Sequence, residues 1–193
     1  MKIEPVTLAG RRVRLEPLSA AHIAPLVKVG LDPDLRRWTV IAATAEEMRR
    51  YVETALAEQS VKKSLPFATI DTASGTVAGS TRFCYIEPEH RRLEIGFTWI
   101  AKPWQRTAMN TEAKYLMLRH AFEVFGCIRV EFITDVLNER SRAALLRIGA
   151  KQEGILRHHM IMSSGRIRDT VCFSIIDSEW PAVKRMLEER LRH

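Results

Sequence analysis

The sequence predicts a mixed α/β fold, in which a central, mostly antiparallel sheet carries helices on both faces. Three observations predict it. Three strand-like runs follow one another through short connections, which is typical of an antiparallel meander. Segments with helical spacing of apolar residues lie before and after them. One strand–helix–strand unit then requires a locally parallel pair, because parallel neighbours need a long crossover.

The first part of the chain is predicted to form one strand and two helices. Residues 12–18 (RVRLEPL) alternate between apolar and polar side chains, as a strand does. A helix capped by Ser19 is expected to run to about Val29, and Pro25 inside it could break it. A second helix is expected over residues 44–59, where Thr44 and Glu47 form a capping box.

The middle of the chain supplies the meander and a buried helix. Strands are predicted over residues 65–71, 76–86 and 93–100. The helix that follows, from about Asn110 to Phe125, is apolar on two faces, so it should be buried on more than one side. Gly126 is expected to end it.

The last third is predicted to add a strand, a helix, a hairpin and a final helix. Residues 128–136 form the strand, and Asn138 caps a helix that ends at Gly149. Residues 154–162 and 166–176 pair around the turn Ser163-Ser164-Gly165. The final helix runs from about Ser178 to Leu191, with Pro181 in its first turn.

Composition limits the class of protein. The 193 residues are 46% hydrophobic and contain no long polar linker or internal repeat, which predicts a single domain over residues 1–193 and excludes a disordered chain. Cys84, Cys127 and Cys172 are dispersed without a CxxC pair, which argues against a disulfide framework or a zinc site and favours a reducing compartment. With no signal-like segment and no long apolar run, we expect a cytoplasmic protein without membrane association.

The net charge of +7 has two explanations. It can reflect scattered surface arginines that keep the protein soluble. It can also reflect an anionic ligand, either nucleic acid or a phosphorylated cofactor. Nucleic acid is disfavoured, because the arginine clusters do not alternate with aromatic residues and no zinc-finger or RNP-type motif occurs.

The segment from Glu94 to Ala113 predicts a phosphate site. A strand leads through Lys102-Pro103-Trp104 into a turn of small residues and then into the buried helix. Backbone N–H groups at such a helix start, together with the positive end of the helix dipole, bind phosphate. The sequence has no Walker motif and no GxGxxG, so a pyrophosphate ligand other than those of P-loop or Rossmann proteins is expected.

These segments resemble the GNAT superfamily of N-acetyltransferases, and in particular its branch of ribosomal-protein N-terminal (RimJ/RimL-type) acetyltransferases. The resemblance extends over nearly the whole chain and is strongest over residues 93–118, 135–157 and 165–176. It implies the GNAT fold and transfer of an acetyl group from acetyl-CoA to a primary amine. The acceptor, a protein N-terminus or a small-molecule amine, would attack directly in a ternary complex. Homodimers are the commoner state in the superfamily.

The resemblance also implies where acetyl-CoA binds. The coenzyme A signature Q/R-x-x-G-x-G/A falls on residues 105–110, with Ala108 in place of glycine and Asn110 in place of glycine or alanine. Asn110 is also a candidate N-cap of the helix. The preceding strand should splay from residues 132–134 and hold the pantetheine arm. The full set of expected cofactor-binding positions is Thr98, Trp99, Ile100, Gln105, Arg106, Thr107, Ala108, Met109, Asn110, Thr111, Asn138 and Ser141.

Glu94 and Ser141 are the candidate catalytic residues. Glu94 lies eleven residues before Gln105 and resembles the superfamily's general base, although it could instead pair with Arg92 or another arginine. Leu145 stands where many members have the tyrosine that protonates the leaving thiolate, and Ser141 is the candidate substitute. Asn138 resembles an asparagine that contacts the cofactor arm. Ser141 and Asn138 also suit a helix start, which is the structural alternative for both.

Several other residues are open to two interpretations. Of the adjacent His158 and His159, at most one can face a cleft, where it could act as base or contact the substrate. No metal site is expected. Trp38, Trp99 and Trp104 could line a cleft, but core packing is favoured. Glu112 should point away from a pyrophosphate. Ala108 and the missing tyrosine leave open a CoA-binding regulator without turnover, and charge alone leaves open a basic nucleic-acid-binding domain.

Overall fold

One sheet of eight strands runs through the computed structural model, which describes residues 1–38, 42–162 and 164–192. The strand order is β1-β2-β3-β4-β5-β6-β8-β7, and all neighbours are antiparallel except β5 and β6. The mixed, mostly antiparallel sheet predicted from the sequence is therefore confirmed. The strands are β1 Leu8–Ala9, β2 Val13–Pro17, β3 Leu65–Asp71, β4 Val77–Glu87, β5 Arg92–Ile100, β6 Arg129–Asp135, β7 Lys151–Ile161 and β8 Ile167–Ile176.

Helices cover both faces of the sheet, as predicted. Helices α1 and α3 pack on one face, called here the α1/α3 face, and α4 and α6 pack on the other, the α4/α6 face. Short 3-10 turns precede α1 and α4, and α4 continues as a π-helical turn over His120–Val124. The helices are α1 Ile23–Gly30, α2 Pro33–Arg36, α3 Ala45–Ser60, α4 Met109–Arg119, α5 Glu139–Arg147 and α6 Trp180–Arg192.

Each face of the sheet has its own hydrophobic core. The larger core lies under α4 and α6 and contains the fully buried Phe83, Phe132 and Phe173. The smaller one lies under α1 and α3 and includes Met48 and Trp99. Burial of apolar surface on both faces is the main favourable term in the stability of such a layered fold.

The parallel pair β5–β6 is hydrogen-bonded only at its beginning. Pairing runs from Arg92 with Arg129 to Glu94 with Glu131 and stops there. Both strands continue beyond this point, β5 to Ile100 and β6 to Asp135. The strands therefore part after Glu94, which opens a wedge in the middle of the sheet, in agreement with the splay expected from the sequence.

A bulge in β5 lies beside this wedge. Ser80 pairs with Trp99 but Arg82 pairs with Gly96, so β5 contains one extra residue, and Phe97 takes the left-handed φ of 49°. The Arg82 guanidinium lies 4.0 Å from the centroid of the Phe97 ring and forms an ion pair of 3.1 Å with Glu58 on α3. Packing from α3 thus holds the bulge in place.

Of the four predicted helix caps, Thr44 and Asn138 cap the expected α-helices, whereas Ser19 caps a 3-10 turn and Asn110 caps no helix. Thr44 accepts the N–H of Glu47 at 3.2 Å, although the Glu47 carboxylate accepts from Ala43 and not from Thr44. Asn138 caps α5. The expectation that Asn110 caps α4 is wrong, because the helix begins at Met109 and places Asn110 inside its first turn.

Other differences concern short or irregular elements. The helix expected from Ser19 is a 3-10 turn followed by α1, and Pro25 is tolerated because it lies in the first turn of α1. Strand β1 and helix α2 were not predicted, and β7 begins at Lys151 instead of residue 154. Ser163 of the predicted hairpin turn lies outside the described residues.

Candidate active site

The start of α4 has the geometry of an anion site. Thr107 Oγ1 accepts the N–H of Met109 at 3.2 Å and donates to the carbonyl of Trp104 at 2.8 Å, which fixes the turn. Among the described residues, no acceptor takes the backbone N–H groups of residues 107, 108, 110 and 111. These N–H groups and the positive end of the helix dipole favour a phosphate here.

Glu112 does not oppose that anion, as expected. Its carboxylate turns toward the N-terminal segment and accepts backbone N–H groups of Arg11 at 3.0 Å, Arg12 at 2.6 Å and Val13 at 2.9 Å. Glu112 is only 6% exposed, so these three bonds satisfy a charge that has left water. The carboxylate thus anchors the segment before β2 to α4.

Gln105 joins three parts of the predicted cofactor site. Its amide nitrogen donates to the carbonyl of Ile100 at 2.8 Å, at the end of β5. Its amide oxygen accepts from Arg140 on α5. The end of β5, the turn and the start of α5 are therefore neighbours, as the expected set of cofactor-binding residues requires.

Glu94 is the last residue of β5 that pairs with β6, so it lies where the wedge opens. Glu94 is 6% exposed. Its carboxylate packs so closely on Gly96 that a Cβ added to Gly96 would lie 2.3 Å from Glu94 Oε1. Burial, followed by the nearby Glu131 charge, raises the pKa of Glu94 from 4.5 to about 7. Among the described residues, no arginine or lysine forms an ion pair with Glu94, so the alternative in which it pairs with Arg92 is wrong. A carboxylate with this pKa can accept a proton near neutral pH.

Lys114 lies on the other side of the bulge and was missed by sequence reasoning. Its ammonium donates to Thr98 Oγ1 at 2.6 Å and lies 3.5 Å from Thr81 Oγ1. Burial lowers its pKa from 10.5 to about 7. The signal was present in the sequence, because Lys114 shares a helical stripe with Met117 and Ala121, both fully buried.

Asn138 and Ser141 lie at the start of α5, beyond the end of β6. Asn138 Oδ1 accepts the N–H of Ser141 at 3.1 Å, which is the capping geometry proposed as the structural alternative. The Ser141 hydroxyl is half-buried and has no hydrogen-bond partner among the described residues. Leu145 is buried in the core. The position at which many GNAT members have a tyrosine therefore holds no side chain that can protonate the leaving thiolate. Contact of either polar side chain with a cofactor stays a prediction.

The remaining candidates fall into core and surface positions. The Trp99 ring packs in the core under α1 and α3, so only its backbone can face the wedge, and Trp104 packs against the other core. Trp38 lies beside Arg166, whose guanidinium carbon is 6.0 Å from the ring centroid. His158 and His159 are exposed on the edge strand β7, where His159 hydrogen-bonds to Thr170.

Metal sites and membrane-spanning helices are both absent from the described residues. No cluster of three or more His, Cys, Asp or Glu side chains in residues 1–38, 42–162 and 164–192 could hold a metal ion. In the same ranges, no helix has the length and apolar character that are needed to cross a membrane.

Comparison with known proteins agrees with this geometry. A family model described as an acetyltransferase (GNAT) domain matches residues 12–151. The "Putative ribosomal N-acetyltransferase YdaF" of Bacillus subtilis (strain 168) is 28% identical over 173 residues, which cover 88% of this chain and 92% of that protein. A GCN5-related N-acetyltransferase from Brucella melitensis is 36% identical with a TM-score of 0.89, over 98% of this chain and 86% of that one. Mycobacterium smegmatis RimJ, in complex with CoA-disulfide, shares the fold at 23% identity and a TM-score of 0.84, over 97% and 96% of the two chains. The chain therefore belongs to the GNAT family of acetyltransferases and is an N-acetyltransferase.

Proposed function

We propose that this enzyme transfers the acetyl group of acetyl-CoA to a primary amine, which attacks the thioester directly in a ternary complex. One observation carries the proposal. The strands β5 and β6 part after Glu94. Beyond the end of β5, the chain enters the start of α4, where several backbone N–H groups lack an acceptor. A pyrophosphate held by the turn would leave its pantetheine arm free to enter the wedge.

The residues present fit this co-substrate. The turn over residues 105–110 offers N–H donors for the pyrophosphate, and the exposed Arg106 and Arg140 add positive charge. Ala108 keeps its backbone N–H and adds only one methyl group compared with glycine. After Glu94, the edge of β5 that does not pair with β4 has no neighbouring strand, so it is available to the arm and to the thioester carbonyl.

Glu94 is the proposed general base. The acceptor enters from the α1/α3 face as an ammonium, and the Glu94 carboxylate takes its proton, directly or through one water. The free amine then attacks the thioester carbonyl, and a backbone N–H of the β5 bulge stabilises the oxyanion that develops. The pKa of Glu94 of about 7 suits this step, because a base works best when its pKa lies near the working pH.

Ser141 is the proposed donor to the departing thiolate. Its backbone is fixed by Asn138, and its hydroxyl has no partner among the described residues, so it is free to turn toward the wedge. A thiolate is a fairly good leaving group, so this donor should matter less than the base.

The relatives support the finer parts of the proposal. RimJ of Mycobacterium smegmatis binds CoA-disulfide, which supports a coenzyme A site in this fold. The name of YdaF favours the RimJ/RimL-type branch and a protein N-terminus as acceptor, with a small-molecule amine as the alternative.

We extend the proposal in three respects. The chain forms a single domain over residues 1–193, two copies form a homodimer, and the protein is cytoplasmic. Cys84 and Cys127 are buried free thiols, and Cys172 is a half-buried one, as suits a reducing compartment. The edge strand β7 exposes Ile155, Leu156 and Ile161, a surface that a second copy could cover. Light scattering of the purified protein measures the oligomeric state directly.

Calorimetric titration with acetyl-CoA, followed by release of free thiol with a panel of amines, tests the function. Binding with amine-dependent thiol release supports the transferase. Binding without release from any amine would favour a CoA-binding regulator. Retention on heparin that falls steeply with salt, without acetyl-CoA binding, would favour a nucleic-acid-binding protein.

A further inference from the structure

Arg168 is a buried cation that has no ion-pair partner among the described residues. It is the second residue of β8 and is 7% exposed. Its Nε is fully buried without a hydrogen-bond acceptor, and no ion pair in the described part of the chain involves its guanidinium. A charge that has left water without a partner is costly, and in native proteins such a group asks for an explanation.

Strand register places Arg168 on the same face of the sheet as Glu94. Glu94 pairs with Glu131 on β6, and Asp135, four residues further along β6, pairs with Thr170 on β8. Paired residues share a face, as do residues two or four apart along a strand. Arg168 therefore joins Glu94 on the α1/α3 face, beyond the point where β5 and β6 part. Burial lowers the pKa of Arg168, and the charges of Asp135 and Glu94 oppose this shift.

The neighbouring carboxylates are committed to other groups. Asp135 accepts the N–H of Leu137 at 3.0 Å through one oxygen and binds Arg166 through the other. Glu131 forms ion pairs with Arg92 at 2.9 Å and with Arg129 at 2.7 Å. Neither carboxylate is within ion-pair distance of Arg168.

We propose that Arg168 binds a carboxylate of the acceptor, so that the enzyme selects amines that carry a carboxylate group. This inference rests on the proposed function, since it uses Glu94 as the site of the amine. The acceptor then spans two opposite charges: its ammonium lies at Glu94 and its carboxylate at Arg168. Arg166, fixed between Asp135 and the Trp38 ring, adds positive charge beside the same position.

The anion in question is not the pyrophosphate of the co-substrate. The pyrophosphate site is at the start of α4, on the opposite face from the Glu94 side chain. Arg168 lies past the wedge on β8, on the same face of the sheet as Glu94. The carboxylate can belong to a free amino acid or to an acidic side chain that follows a peptide N-terminus, and the test separates the two.

The experiment compares acceptors of nearly the same shape, in pairs of which one member carries a carboxylate and the other an amide. Serine is compared with serinamide, and the peptide amide Ser-Glu-NH2 with Ser-Gln-NH2, by acetyl-CoA-dependent thiol release. The same four compounds are titrated into the protein saturated with CoA, which measures acceptor binding without turnover. The variants are Arg168→Met, Arg168→Lys and, as a matched control, Arg157→Met, which removes an exposed arginine from the neighbouring strand.

Wild type should favour the carboxylate member of one pair by roughly 10- to 100-fold in kcat/KM, mainly through KM, as a charge-assisted hydrogen bond implies. Arg168→Met should abolish this preference and leave the neutral member and the affinity for acetyl-CoA unchanged. Arg168→Lys should restore part of it, and Arg157→Met should behave as wild type. The pair that shows the preference identifies the source of the carboxylate.

Two results would overturn the assignment. In the first, wild type acetylates both members of each pair equally well. In the second, wild type neither binds nor acetylates any of the four compounds. Carboxylate-selective binding that depends on Arg168, without thiol release, would support the site and instead count against the proposed transferase function.

Discussion

Replacing Lys114 by methionine should raise the free energy of unfolding at neutral pH and make it less dependent on pH. The Lys114 ammonium leaves water on folding, because the residue is 5% exposed and its hydrogen bonds among the described residues go to two threonine hydroxyls. Burial lowers its pKa from 10.5 to about 7. Methionine has a similar length and shape but no charge to desolvate.

The magnitude follows from the two pKa values. Because the pKa of Lys114 is depressed on folding, the charged side chain destabilises the folded protein in full below the folded value, and this cost disappears as the pH rises to the unfolded value. The free energy of unfolding of wild type should therefore rise by about 2 to 3 kcal/mol between about pH 7.5 and 9.5, relative to the methionine variant. Near pH 7.5, removal of the charge should make the variant more stable than wild type by up to about 4 kcal/mol. The lost hydrogen bonds should reduce this gain by about 1 to 3 kcal/mol.

Urea unfolding of both proteins at several pH values in this range measures the difference directly. Titrations common to both proteins, such as those of tyrosines and the other lysines, cancel in it. Lys63→Met, which removes an exposed lysine after α3, should keep the pH dependence of wild type. Parallel pH profiles for wild type and Lys114→Met would refute the reasoning, because they would mean that the lysine keeps its ordinary pKa in the folded protein.

Substitutions at four further positions test the catalytic site. Glu94→Gln should lower kcat/KM roughly 100-fold and remove the rise in rate through about pH 7 that ionisation of the base produces. Near-normal turnover at neutral pH would instead indicate that His158 or His159 is the base. Gly96→Ala should lower kcat/KM in a folded protein, because the new Cβ would lie 2.3 Å from Glu94 Oε1; circular dichroism checks the fold. Ser141→Ala should lower kcat by about tenfold or less with an unchanged melting temperature, whereas a lower melting temperature with unchanged kcat would show a capping role only. Ala108→Ile should weaken acetyl-CoA binding in calorimetry while Ala108→Gly should not, and equal affinities would mean that the phosphate turn is misplaced.

The regular elements could be predicted because their signals are local. The apolar stripe of Met48, Val52 and Ala55 predicted α3, and these residues are fully buried in the structure. The strand–helix–strand order required the parallel pair β5–β6, which the pairing confirms. Helix ends at Gly126 and Gly149 also hold, since both glycines have the left-handed φ that closes a helix.

The bulges and the buried charges could not be predicted in the same way. The extra residue in β5 depends on pairing with β4 and on the packing of Arg82 against Phe97, contacts that lie far apart in the sequence. Burial of Arg168 depends on the position of β8 between β6 and β7 in the sheet. A sequence shows that a residue is charged, but only the tertiary structure shows whether its partner is present.

Buried charged side chains beside the wedge differ in whether the described residues supply an ion-pair partner, and this difference bears on function. Where β5 and β6 are hydrogen-bonded, Glu131 is shared by Arg92 and Arg129, and Arg129 in turn lowers the pKa of Glu153 to about 2. Around the wedge, Glu94, Lys114 and Arg168 are buried with no ion pair among the described residues. A bound ammonium at Glu94 and a carboxylate at Arg168 would supply the missing counter-charges, so the destabilising pattern of the free protein is complementary to an acceptor of that charge distribution.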